Sequence, residues 1–412
     1  MRLLFLLFLV SVTSLQAQIW QPEPYYIRTV EWNVDQVNPL PVFALGSPIV
    51  LEFDDISASE EDYYYKITHY NHDWTPSILT KNDYLIGTDN QRIIDYENSL
   101  TTLQSYSHYR LAIPNAFTKG ITASGNYMMS IYDDDDELVF QRPFMVFEPG
   151  TQVGVTVKRA RDLKLINTSQ RVQFFIDTDR FIFQNVNRAL HTVIYQNGDM
   201  YSPLRGLKPQ YNLANRQIYN YDQEAAFYAG NEFLAFETRD YRAPTAQVNR
   251  VNLEEDGLYH AYLFTDVPRY DRGYTFNPDI NGNFAITTLT NEQVHRQAEY
   301  IWVHFSIVSP ELPQGEEMHI YGNWNGYNLS DDSRMTYDKK LGMYTNQLLL
   351  KQGFFNYRYV IKTEDAVLPG AISGNYSNTE NAYAVLAYYR EPGGRADRLI
   401  GYGTASSNVI TN

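Results

Sequence analysis

His69 and His72 stand three residues apart with Asp73 beside them, a donor set and spacing that could serve a divalent metal. On a strand, residues three apart point to opposite faces, so these groups converge only if the chain turns between them. No third ligand of the zinc type is indicated nearby. The competing reading is a turn whose polar side chains cap backbone groups. Asp133 to Asp136, followed by Glu137, suggests calcium, but an EF-hand counted from Asp133 meets Leu138 where glycine is needed and Phe144 where glutamate is needed. The run reads instead as an acidic hairpin tip between strands at 127–132 and 138–147. Gly401-x-Gly403-x-x-Ser406 has the spacing of a dinucleotide fingerprint without the helix that must follow it. There is no G-x-S-x-G elbow, H-E-x-x-H pair or Walker phrase. With 48 acidic residues, some carboxylate pair will always fit glycoside hydrolysis, so such a fit carries no weight. The expectation is no enzyme, no metal and no cofactor.

Composition narrows the class further. The chain has 412 residues and no cysteine, which removes disulfides, thiolate metal sites and cysteine nucleophiles together. Stability must come from burial, which 44% hydrophobic residues in a chain of this length can supply. The formal charge is −15, from 33 basic against 48 acidic residues, and a phosphate backbone would be repelled. The basic cluster Lys158, Arg159, Arg161 and Lys164 reads as a solvated strand end rather than a nucleic-acid patch. At the N-terminus, Met1-Arg2, the apolar run from Leu3 to Val12 and the stretch Ser14 to Ala17 have the form of a signal peptide cut after Ala17. No later stretch reaches the roughly 20 apolar residues needed to span a bilayer, and no cysteine is available for a lipid anchor. The expectation is a mature protein, starting at Gln18, that is soluble beyond the inner membrane.

The elements that must position any site are short β-strands punctuated by turns. Asn197-Gly198, flanked by Val193-Ile194-Tyr195 and Met200-Tyr201, is a strong hairpin signal. Residues 257–264, 301–308, 318–321 and 357–361 alternate or run apolar with aromatic and β-branched residues, as half-buried strands do. Only residues 291–298 suggest a helix, and a short one. Glu148-Pro149-Gly150 and the polar stretch 291–299 mark boundaries. The chain thus reads as all-β, with three tandem immunoglobulin-like β-sandwich domains at 18–148, 149–297 and 298–412 after a signal peptide at 1–17.

Several phrases carry a family resemblance. YKITHYNHDWTPS (65–77), YENSLTTLQSYSHYRLAIP (96–114) and SGNYMMSIY (124–132) near the start, and YGNWNGY (321–327), QGFFNYRY (352–359) and the run from Gly374 to Tyr402 near the end, resemble the type IX secretion system plug proteins. That resemblance implies a periplasmic protein that docks on the periplasmic mouth of the giant outer-membrane β-barrel translocon and occludes its pore while nothing is exported. The first segment also resembles an aromatic-rich sandwich attached to sensor proteins, in which Trp74 would plug the end of the core. The third resembles a glycogen- or starch-binding sandwich, where a phrase such as Tyr321 to Gly326 sits at a strand end. The latter makes Trp324, Tyr327, Asn323 and Asn325 candidate contacts for a sugar or a protein partner. It also supplies the rival reading, a periplasmic carbohydrate-binding protein, with a glycan-processing enzyme as a third. In the structural alternative, Trp324 packs into the domain end while Asn323 and Asn325 bond turn backbone. The 35 tyrosines, 21 phenylalanines and 5 tryptophans favour a protein whose surface is used for contact.

Overall fold

The computed structural model describes residues 20–34 and 39–408. The expected signal peptide lies outside these residues. Among them the chain forms thirty strands and four helices of a single turn, so the all-β expectation holds. The strands stack into sandwiches around three separate hydrophobic cores.

The first sandwich is continuous in sequence. Strands Ile27–Trp32, Ile49–Asp55, Ser107–Ile113 and Tyr96–Asn98 form one sheet. Val42–Ala44, Leu138–Phe147, Gly125–Tyr132, Tyr64–Tyr70 and Gln91–Arg92 form the other. In Tyr64–Tyr70 every second residue is buried, sending Tyr65, Ile67 and His69 inward against Leu51, Phe53, Tyr109 and Tyr127. Gly125–Tyr132 is instead buried at its first seven positions, because a second sandwich covers its outer face. The acidic hairpin tip forms as expected: the Asp133 carboxylate accepts hydrogen bonds from the amides of Asp135 and Glu137, and Lys66 pairs with Asp136 at 2.6 Å.

The rest of the chain departs from the expected division at residues 297 and 298. Tyr259–Leu263 pairs in parallel with Tyr300–Val308 across that point, Ala261 standing opposite Val303. The last two strands turn back instead of completing the third sandwich. Ala382–Tyr389 pairs with Leu190–Gln196 on one side and with Arg398–Ser406 on the other. All eight of its residues are buried, as in a central strand covered on both faces. The middle sandwich therefore combines residues 152–228 with residues 382–406, and the sandwich spanning 234–368 is inserted into it. Such a strand must have neighbours on both edges, but its own pattern does not say which.

Two local expectations also shift. Asn197 and Gly198 turn the chain with φ of +53° and +71°, yet the returning strand is Leu204–Arg205 rather than Met200-Tyr201. Asp199 accounts for the delay: its carboxylate accepts from the Tyr201 amide and the Ser202 hydroxyl and holds a loop. Trp74, with φ +65°, does not plug the first core. It lies against Trp20, Met128, Met145, Tyr195, Leu386 and Tyr388 in an apolar layer between the first and middle sandwiches.

Candidate functional site

The aromatic phrase YGNWNGY closes the end of the inserted sandwich. After the strand Glu317–Tyr321 the chain makes one 3-10 turn, Asn323–Asn325, and leaves it through Gly326 and Tyr327, both left-handed with φ near +60°. This backbone drives Tyr327 inward. Its ring is 2% exposed, 5.0 Å from the Tyr321 ring, and its hydroxyl donates to the Asn197 carbonyl oxygen at 2.7 Å. The Tyr321 hydroxyl donates to Asp199 at 2.8 Å, so two tyrosines bolt the inserted sandwich to the 197–199 turn of the middle one. Burial pushes the phenol of Tyr321 well up, with Asp199 adding to the effect.

Trp324 is half-buried and packs against the inserted core, its indole edge lying over Gly322, where a Cβ would fall 2.4 Å from Nε1. The Asn325 amide donates to the Asn328 carbonyl, a bond to turn backbone, whereas the Asn323 amide reaches the Asn283 side chain instead. With Tyr327 enclosed, Trp324 and Tyr327 do not form the flat exposed pair on which a pyranose ring stacks. Asn323, Asn325 and Tyr327 instead line a cavity of about 410 Å³ between the first and inserted sandwiches, together with Trp20, Trp32, Glu31, Glu52 and Arg142. Glu31 stands directly across the strand pair from Glu52. Burial first, and the Glu52 charge second, push the Glu31 carboxyl up to about 7 against the opposing pull of Lys351.

Behind this cavity sits a buried charge cluster that the sequence reading missed. Lys351 of the inserted sandwich donates to Asp54 of the first at 2.6 Å. Asp54 also accepts from the Tyr300 hydroxyl at 2.6 Å and lies 2.7 Å from His108 Nδ1. Burial alone would raise the Asp54 carboxyl; Lys351 and His108 outweigh it and hold the group below its ordinary value. Beside it, the Glu299 carboxylate accepts from the amides of Leu103 and Gln104, and the Tyr106 hydroxyl donates to the Ala298 carbonyl. The only sequence signals were an acidic pair closing the run IVLEFDD and a lysine after LLL, each following apolar strand residues.

The remaining candidates resolve into structural roles. His69 is 1% exposed with Nε2 3.0 Å from the Ser124 carbonyl, while His72 Nδ1 pairs with Asp397 at 2.7 Å and Asp73 caps Thr75. The three do not converge. Asp397 is also held by Arg390 at 2.8 Å, and the His191 ring stacks on His72 at 3.8 Å. Burial, then His72, push His191 down to about 4. Gly401 and Gly403 lie in the strand Arg398–Ser406, where Val153 of the facing sheet comes so close that a Cβ on Gly403 would fall 2.2 Å from its carbonyl oxygen. Among the described residues, no group of three or more His, Asp or Glu side chains is placed to hold a metal ion. No helix among them is long and apolar enough to cross a membrane.

Comparison with known proteins follows the same outline. Residues 27–148, which contain the first sandwich, match the family model for the first domain of the type 9 secretion system plug protein. The crystal structure of a hypothetical protein from Parabacteroides merdae ATCC 43184 superposes with a TM-score of 0.89 at 30% identity, over 94% of this chain and 99% of that one. A partial N-terminal region of an enterococcal surface protein aligns over 97% of this chain and 98% of that chain at 8% identity, with a TM-score of only 0.21. No curated protein matches the chain.

Proposed function

Because this chain belongs to the type IX secretion system plug family, with a role associated with that secretion route, we propose that it is a non-enzymatic plug. In this reading it resides in the periplasm, docks on the periplasmic mouth of the outer-membrane translocon and occludes the pore when no substrate is being exported. A pore wide enough for folded cargo leaks solutes unless a body that holds its shape seats in it. What supports the reading is how the three sandwiches are joined. Buried polar bonds cross every junction: Lys351 to Asp54, Tyr388 to Asn126 at 2.6 Å, and Tyr327 to Asn197 at 2.7 Å. Three domains hinged on flexible linkers would move independently; these are bolted. The test is a clean deletion in the native host, with translocon levels held constant. Uptake of large polar antibiotics across the outer membrane is expected to rise. Unchanged uptake would refute occlusion by this chain.

A further inference from the structure

One sheet of the middle sandwich presents an unbroken apolar row to solvent. Gly154, Phe175, Ile218 and Tyr211 stand opposite one another across four strands, from Gln152–Arg159 through Ser169–Asp177 and Arg216–Tyr219 to Tyr211–Leu213. The Phe175 ring lies over Gly154, where any Cβ would fall 2.2 Å from it, and the Arg216 guanidinium sits 4.5 Å from the centre of the same ring. A groove of about 300 Å³ runs along this row, bordered by Thr156, Lys158, Gln173 and Asn220.

The row ends at an open edge. Tyr211–Leu213 hydrogen-bonds to Arg216–Tyr219 on one side, and among the described residues no strand pairs with the other. All three of its residues are exposed, Tyr211 at 59% and Leu213 at 57%. Edge strands are usually blunted by charge, proline or a covering loop, because an open edge invites pairing with another chain. The sequence here is neutral Tyr-Asn-Leu. Around it the charge reverses sign: residues 151–220 contain ten Lys and Arg against four Asp, a net +6 in a chain of −15. Lys158 brings that charge to the far side of the groove, whereas Arg216, opposite Leu213, already pairs with Asp177 at 2.7 Å.

We propose that this edge is a docking site for an extended, acidic segment of a protein partner, added as a further strand beside Tyr211–Leu213. Its backbone takes up the open edge, its apolar side chains cover Tyr211, Leu213 and Ile218, and its carboxylates are drawn by the net positive charge of the surrounding segment. The proposal rests on the plug reading in one respect: the segment belongs to the translocon. A lipid surface would be drawn by the same charge but has no use for unpaired backbone amides and carbonyls.

The test places a photo-crosslinking amino acid at position 213 of the full-length protein in its native host, with position 341 as control, since Leu341 is equally exposed on the inserted sandwich. Adducts with the translocon barrel, identified by antibody, are expected to form from 213 at about tenfold the yield from 341, and Tyr211→Glu or Leu213→Glu should reduce co-purification of the barrel by about tenfold. Both side chains reach the surface, so these variants should keep the wild-type circular dichroism spectrum. Absence of a barrel adduct at 213, or equal yield from 341, overturns the docking edge whatever deletion does to permeability. Pelleting of the protein with phosphatidylglycerol vesicles, abolished by Tyr211→Glu, would assign the face to lipid and overturn it too. The plug reading itself is judged by permeability in the deletion, not by these variants.

Discussion

Lys351 and Asp54 lie 297 positions apart in sequence and 2.6 Å apart in space, the lysine 2% exposed and the aspartate 1%, on sandwiches with separate hydrophobic cores. Neither charge can be solvated where it stands, so each depends on the other. Truncating Lys351 leaves the Asp54 carboxylate buried without its cation, held only by Tyr300 and His108, and breaking a buried pair in this way costs about 3–5 kcal/mol. Lys351→Met is expected to lower the unfolding free energy by that amount, read from denaturant titration. Lys339→Met, which removes a lysine 78% exposed in an ion pair with Glu311, should change stability by less than about 0.5 kcal/mol. Equal effects from the two would mean that the cluster does not hold the sandwiches together.

Glu31 sets a pH dependence of defined sign. Its folded value, about 7, lies above the 4.5 of an ordinary glutamate, so between those limits the native state keeps a proton that the unfolded state has lost. Stability is therefore fully present below about pH 4.5, falls as the pH rises towards 7 and levels off above it, by at most about 3 kcal/mol. Glu31→Gln should be more stable than the parent at pH 8 and equal to it near pH 4. A difference curve that is flat, or that rises towards acid, would contradict the poorly solvated position of this carboxyl beside Glu52 in the cavity wall.

Gly403 is required by contact rather than by conformation. Placing a Cβ against the Val153 carbonyl forces the two sheets of the middle sandwich apart, and overpacking of this kind costs about 1–3 kcal/mol. Gly403→Ala is expected to lower the melting temperature, whereas Gly206→Ala, with no atom within 4 Å of its Cβ position, meets only the strain of its φ of +83°. If Gly403→Ala proves neutral, the sheets are not packed as described.

Tyr327 distinguishes a structural end from a sugar platform. Tyr327→Phe removes the hydroxyl that satisfies Asn197 and should cost about 1–2 kcal/mol of stability. Calorimetric titration of α- and β-glucans into the intact chain should give no heat of binding. Millimolar or tighter binding lost on Trp324→Ala would reinstate the carbohydrate reading.

What was legible in the sequence was what local pattern determines. The alternation in 64–70, the breaker Glu148-Pro149-Gly150 and the acidic tip at Asp133 each depend on residues a few positions apart, and each appears in the structure. The nesting was not legible. Ala382–Tyr389 announces burial on both faces but carries no mark naming Leu190–Gln196 as its neighbour. The same holds for the site: Trp324 and Tyr327 were visible as aromatics at a strand end, yet the burial of Tyr327 is decided by Asn197 and Gly282, whose approach is a tertiary fact. Asp54, one of two adjacent acids, and Lys351, a lysine after three leucines, gave only a weak signal.

Occlusion of the translocon can be read as a loss of ionic conductance. Purified translocon in a planar bilayer should pass a large, steady current that collapses when this protein is added in equimolar amount from the periplasmic side and returns when it is washed out. Undiminished current with the protein demonstrably bound would contradict occlusion.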